Sequence, residues 1–144
     1  MGRTKDHPLE PSLSLYSTEQ IKRIEQRYSD TANGTYPLME RAGASVFHHL
    51  VRYWPTAKRV LVITGEGNNA GDGFIVARLA IERRLKVTLC YLESPSNLTG
   101  DALKAYQKMS HRSVSVVDCK NLDFANYDLV VDAMLGPGIK GKLK

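Results

Sequence analysis

Asn68, Asn69 and Asp72 fall among Gly65, Gly67, Gly71 and Gly73, inside the stretch RVLVITGEGNNAGDGFIVARL that runs from Arg59 to Leu79. Two adjacent amides and a carboxylate can hydrogen-bond a substrate, hold a hard cation or move a proton. Four glycines in nine residues let backbone N–H groups crowd a ligand. An apolar run precedes the segment and a helical pattern follows it. The N-terminus of that helix offers unpaired donors and the positive end of its dipole. The chemistry expected here is the holding of a phosphate or a dinucleotide, with polar side chains left over for catalysis. A structural strand-to-helix turn with no ligand needs none of those polar groups.

Gly65-x-Gly67-x-x-Ala70 also fits the dinucleotide fingerprint G-x-G-x-x-G/A, and Glu93 ends the next strand near the spacing of a ribose-contacting acid. That pattern alone points to a nicotinamide dehydrogenase. Such a turn needs neither an Asn-Asn pair nor a carboxylate at residue 72, and a carboxylate beside a pyrophosphate repels it unless a cation intervenes. Asp132 follows Leu129-Val130-Val131 at the C-terminal end of its strand, the edge where open α/β sheets carry the ligand crevice. With the first and fourth strands as neighbours, Asp132 and Asn69 are expected to approach each other and offer oxygens to a hard cation. The competing role for Asp132 is a turn-stabilising side chain or a helix cap. Glu40 and Arg41 read as a solvated helix face, although Glu40 could lock a loop. Adjacent His48 and His49 point in different directions and form no helical metal pair. His7 and His111 carry no context, and Lys140 follows the turn Gly136-Pro137-Gly138, within reach of a phosphate.

The elements that must position these groups follow from periodicity. Residues 1–15 are aperiodic and read as a loose arm, and residues 16–144 as one domain. Ser17 with Gln20 resembles a capping box for a helix over 18–29, with Ile21, Ile24 and Tyr28 on one face. Asn33-Gly34 signals a turn, and Pro37 suits the first turn of a second helix over 37–53. There Leu38, Ala42, Val46 and Leu50 form an apolar stripe, and Gly43 allows close backbone approach. The continuous β-branched run VLVIT reads as a strand buried on both faces. A helix over 73–84, a strand over 86–92, a helix over 100–110 capped by Thr99, and strands over 113–118 and 127–135 follow. This alternation predicts an α/β fold: a Rossmann-like, three-layer, doubly wound, mainly parallel sheet preceded by two helices. The fourth strand and its Gly-rich turn come just before the last residue, so the domain is expected to be incomplete at its C-terminal end, with an exposed strand edge that leaves room for a homodimer.

Composition narrows the class. The 144 residues carry 42% hydrophobic and 24% charged residues, as in a soluble globular domain with a real core. Three of the 20 basic residues are Lys140, Lys142 and Lys144; the remaining 17 face 15 acidic residues, so a nucleic-acid partner is not expected. No apolar run is long enough to span a bilayer, and the first residues lack a secretory h-region, which points to a cytoplasmic protein without membrane contact. Cys90 and Cys119 read as buried free thiols in a reducing compartment.

GEGNNAGDGFIVARLA resembles the G-x-G-N-N-G-G-D-G-x-x-x-A-R signature of the NAD(P)H-hydrate epimerases, the YjeF N-terminal domain family. YSTEQIKRIEQ, LMERAGAS, LTGDALKAYQKM and DLVVDAMLGPGIKG resemble four further segments of that family in the same order. Ala70 stands where a glycine is usual, and the later D-x-P-S-G segment has no counterpart. The resemblance implies a metabolite-repair isomerase that interconverts the R and S epimers of C6-hydrated NADH and NADPH. Its functional partner would be an NAD(P)H-hydrate dehydratase. Asn68, Asn69, Ala70, Gly71 and Asp72 would wrap the substrate with Gly136, Pro137, Gly138, Ile139, Lys140, Gly141 and Lys142. Asn69 and Asp132 would hold a potassium ion, and Asp72 or Asp132 would transfer the proton. The alternative is a non-catalytic nucleotide- or protein-binding module of the same fold.

Overall fold

The computed structural model describes residues 15–31 and 34–136. Helices α1 (Thr18–Thr31) and α2 (Tyr36–Tyr53) lead into β1 (Arg59–Thr64), α3 (Asn68–Glu82), β2 (Lys86–Tyr91), α4 (Gly100–Ser110), β3 (Ser115–Val117) and β4 (Leu129–Ala133). The four strands form one parallel sheet in the order β3-β2-β1-β4, with β1 and β4 neighbours as expected from the sequence. This is the α/β fold. The arm before Leu15, Asn33 of the turn signal, and the stretch Pro137–Lys144 lie outside the described residues.

Side chains alternate across the pleat, so the sheet buries two different sets. Val60, Val62, Val87 and Leu89 face a core completed by Tyr36, Met39, Phe47 and Leu50 of α2, Phe74, Ile75 and Val76 of α3, and Ala102, Ala105 and Met109 of α4. Helix α3 lies on β1, β2 and β4, and both α2 and α4 pack on α3. The opposite face buries Leu61, Ile63 and Cys90 beneath Val117, Cys119, Leu122, Tyr127 and Met134. Its cover is the β3–β4 connection, which carries short 3-10 turns at Cys119–Asn121 and Phe124–Asn126.

Several local expectations shift. The buried stripe of α2 is Tyr36, Met39, Gly43, Phe47 and Leu50, with Val46 exposed, so it sits one position from the expected Leu38-Ala42-Val46 row. Gly43 does allow close approach: a Cβ there would stand 2.7 Å from the Ile75 side chain. The capping box of α1 forms, with Ser17 N–H donating to Gln20 Oε1 at 2.7 Å and Gln20 N–H to Ser17 Oγ at 3.3 Å. The helix buries none of its residues, however, and Ile21 and Ile24 stay exposed. Thr99 sits at the N-cap of α4 without a side-chain cap bond.

Cys90 and Cys119 are joined in a disulfide, with Cα atoms 5.5 Å apart, which corrects the reading as free thiols. Val117 pairs with Cys90, and the turn that starts at Cys119 folds back over that face, so the two sulfurs meet. At the N-terminal edge of the sheet, the Asp128 carboxylate accepts from the Lys58 and Arg59 N–H groups, each at 2.9 Å, and from the Arg59 guanidinium at 2.8 Å. The Arg59 side chain first, then those N–H groups, hold its carboxyl well below the ordinary range.

Candidate functional site

The C-terminal ends of β1, β2 and β4 meet at one edge. Gly65 N–H donates to the Ala133 carbonyl at 3.2 Å and Leu92 N–H to the Thr64 carbonyl at 2.9 Å. A side chain on Gly65 would run into the Met134 carbonyl, so glycine is what lets β1 leave the sheet beside β4. Gly67 then takes φ +81°, a left-handed value that glycine accepts freely, and α3 starts at the next residue.

This overturns the expected helix start at residue 73. Asn68, Asn69, Ala70, Gly71 and Asp72 do not form an open loop; they are the first turn and a half of α3. Gly71 and Gly73 serve packing. A Cβ on Gly71 would meet the Met39 sulfur at 2.5 Å and the Ala102 Cα at 3.1 Å, and one on Gly73 would meet the Ala133 Cβ at 2.5 Å. Gly71 and Gly73 thus press the start of the helix against α2, α4 and β4, while Gly67 and Asn68 stay exposed and leave its unpaired N–H groups open to a ligand. Ala70 is fully buried, so its part in a ligand site falls to its backbone.

The side chains divide by direction. Asn69 Nδ2 donates to the Leu135 carbonyl at 3.0 Å, and a Cβ on Gly136 would stand 3.2 Å from the Asn69 Cβ, so the amide braces the segment leaving β4. Asp132 pairs in register with Ile63 and therefore shares the sheet face opposite the helices. It is exposed, and its Oδ1 accepts from Met134 N–H at 3.0 Å, the turn-stabilising role weighed against a site role from sequence. Asp132 and Asn69 thus both brace the segment from Met134 to Leu135, one from each side. Asp72 is partly buried; burial first, and then the charge of Glu25 on α1, push its carboxyl up to about 6. Glu25 gave no signal in the sequence, because α1 carries no residue whose spacing ties it to α3.

Three oxygens at this edge could serve a hard cation. Asn69 commits its N–H₂ to Leu135, which leaves its carbonyl oxygen, and Asp132 Oδ2 takes no hydrogen bond among the described residues. Thr64, wholly buried at the end of β1, keeps Oγ1 without a partner there. Oxygen-only donors favour such an ion over a transition metal, and no cluster of three His, Cys, Asp or Glu residues occurs among the described residues.

Glu40 is not a solvated residue. It accepts from Tyr36 Oη at 2.6 Å and from Arg78 at 2.6 Å, and Lys108 stands 3.5 Å away. Burial pushes its carboxyl up, but the Tyr36 bond and the two cations outweigh that and leave it below its ordinary value. The network ties α2, α3 and α4 together behind the helix N-terminus. His48 and His49 are exposed, and Glu93 lies exposed beyond β2. The seven-residue stretch expected to wrap a substrate is described only at Gly136; Pro137, Gly138, Ile139, Lys140, Gly141 and Lys142 lie outside the described residues. No described helix is long and apolar enough to cross a membrane.

Residues 35–144 match the family model described as YjeF-related protein N-terminus. A protein of Coxiella burnetii named bifunctional NAD(P)H-hydrate repair enzyme Nnr is 35% identical over 130 residues, which cover 90% of this chain and 27% of that one. One of Rhodobacter capsulatus named NAD(P)H-hydrate epimerase is 37% identical over 134 residues, 87% of this chain and 63% of that one. The crystal structure of yeast ynu0 superposes with a TM-score of 0.75 at 24% identity over 92% of this chain and 60% of that one, a likeness of fold. The chain thus spans from 27% to 63% of the length of these two curated relatives.

Proposed function

The chain belongs to the YjeF-related N-terminal family, and from that premise we propose that it is an NAD(P)H-hydrate epimerase, with residues 16–144 acting as one unit of that family. The observation that carries this reading is Asp72. Its carboxyl lies near the start of α3, is partly buried, and is raised to about 6 by that burial and by the charge of Glu25. A carboxyl titrating near neutral pH can give a proton in one step and take one in the next.

The proposed substrate is C6-hydrated NADH or NADPH. The backbone N–H groups at the N-terminus of α3, with the side-chain amide of Asn68, bind the pyrophosphate. C6 bears a hydroxyl and the ring nitrogen, so protonated Asp72 donates to the departing hydroxyl while the nitrogen lone pair expels it as water. Water then adds to the resulting iminium from the other face, and the Asp72 carboxylate takes its proton. No electrons are transferred to a second cofactor. Asn69 and Asp132 are proposed to hold a potassium ion, whose charge offsets the repulsion between Asp132 and the pyrophosphate. Asp132 is the second candidate for the proton transfer. Gly136, Pro137, Gly138, Ile139, Lys140, Gly141 and Lys142 are proposed to bind the substrate, and a dehydratase to consume the epimer produced.

The test is epimerisation of the purified R-form hydrate, with and without potassium, coupled to a separate S-specific dehydratase. Acceleration over the spontaneous rate is expected. Asp72→Asn should lower kcat about 100-fold or more, and the wild-type profile of kcat/KM against pH should bend near 6. Asp132→Asn should weaken the potassium dependence. Hydrate binding without any acceleration would make the protein a binding module of the same fold.

A further inference from the structure

Two cysteines with different access sit on the face of the sheet that no described helix of the core covers. Cys90 is wholly buried in β2, in the same small cluster as Leu61 and Ile63. Cys119 is partly exposed and opens the first 3-10 turn of the β3–β4 connection. Their Cα atoms are 5.5 Å apart, well within the span that a disulfide bridges without backbone movement. In register, Val117, Cys90, Ile63 and Asp132 form one row across the four strands. Cys119, Leu122, Tyr127 and Met134 form the cover over that row.

We propose that Cys119 is a thiol-modification site for low-molecular-weight disulfides such as oxidised glutathione, and that Cys90 is its resolving partner. The Cys119 thiolate attacks one sulfur of glutathione disulfide and releases one glutathione thiolate, leaving a mixed disulfide on Cys119. The Cys90 thiol gives its proton to water, and its thiolate attacks the Cys119 sulfur and expels the second glutathione as a thiolate. Two protein thiols are oxidised and one glutathione disulfide is reduced to two thiols. The order follows from access: a bulky reagent reaches the partly exposed Cys119, whereas the buried Cys90 meets only the neighbouring sulfur. Closing the bond fastens the β3–β4 connection onto Leu61 and Ile63, and so steadies the strand that carries Asp132. Reduction frees that cover while the helical face stays packed. The assignment is independent of the epimerase reading.

The experiment starts from the reduced full chain, exposed to mixtures of oxidised and reduced glutathione, quenched with an alkylating agent and weighed intact. Wild-type protein should lose both alkylation sites together and retain no glutathione. Cys90→Ser should trap one glutathione on Cys119, and Cys119→Ser should take up none on the same timescale. On the wild-type chain, oxidation should raise Tm by about 10 °C and slow amide exchange from Cys119 to Met134. Two alkylatable thiols persisting in fully oxidised buffer would overturn the proposal. So would equal glutathione uptake by the two variants, or an oxidised chain whose exchange and Tm match those of the reduced one.

Discussion

Among the described residues, α3 with α2 and α4 packed on it covers one face of the sheet, and the β3–β4 connection with its two 3-10 turns covers the other. On the helical face, strands, α3 and its two neighbours bury one continuous cluster in which Phe74, Ile75 and Val76 are at most 1% exposed. On the opposite face Leu61, Ile63 and Cys90 are the buried hydrophobic cluster among the described residues, and Val130 and Asp132 of β4 are open to solvent. The two candidate acids follow this division. Asp72 belongs to the packed side, where low access to water and Glu25 raise it; Asp132 belongs to the thin side, held by one backbone N–H. A rigid, desolvated wall suits a proton-transfer group, and a more open one suits a ligand for an ion that must enter and leave.

The comparison can be tested by substitution, beginning with the largest effect. Phe74→Ala empties the centre of the helical cluster and should cost about 4 kcal/mol in denaturant unfolding. Gly65→Ala strikes the strand-end contact shared by both faces and should cost about 2–3 kcal/mol through the Met134 carbonyl clash. Asp72→Asn should do the reverse. Because the folded-state value of about 6 lies above the ordinary 3.8, the native chain binds that proton more tightly than the unfolded chain does. The stabilising protonation is complete below about pH 4 and is lost as pH rises through 6. The amide variant should therefore be more stable than wild type by about 1–2 kcal/mol at pH 8, after allowance for exposure, with the gain vanishing near pH 4. Leu122→Ala on the thin side should cost only about 1 kcal/mol. A Leu122→Ala cost equal to that of Phe74→Ala would erase the difference between the faces.

Much of this organisation is legible in the sequence. The β-branched run of β1, the glycine-rich segment after it and the alternation beyond fix the parallel order, because each is a local pattern. The start of α3 is not legible, because Gly71 and Gly73 read as loop formers. Only the approach of Met39, Ala102 and Ala133 shows that they are contact points inside a helix. The burial of Glu40 rests on Arg78 and Lys108, brought in by two other helices. The cysteine pairing depends on a connection that folds back over the sheet, a path that no periodicity records. Asp132 was read with two roles open, and its bond to Met134 is the local one.

The Asp128 clamp ties together parts of the chain that lie far apart in sequence. Its carboxylate joins β4 to the start of β1 across 69 residues of chain. The buried side chains of the helical cluster all precede residue 111, and Leu129 and Val131 of β4 pack against it. Parallel strands so far apart pair slowly, and a slip of one residue would send Asp132 towards the helices and Val131 outwards. The two backbone amides and the guanidinium that receive Asp128 hold the fourth strand in one register, and thereby fix on which side its acid emerges.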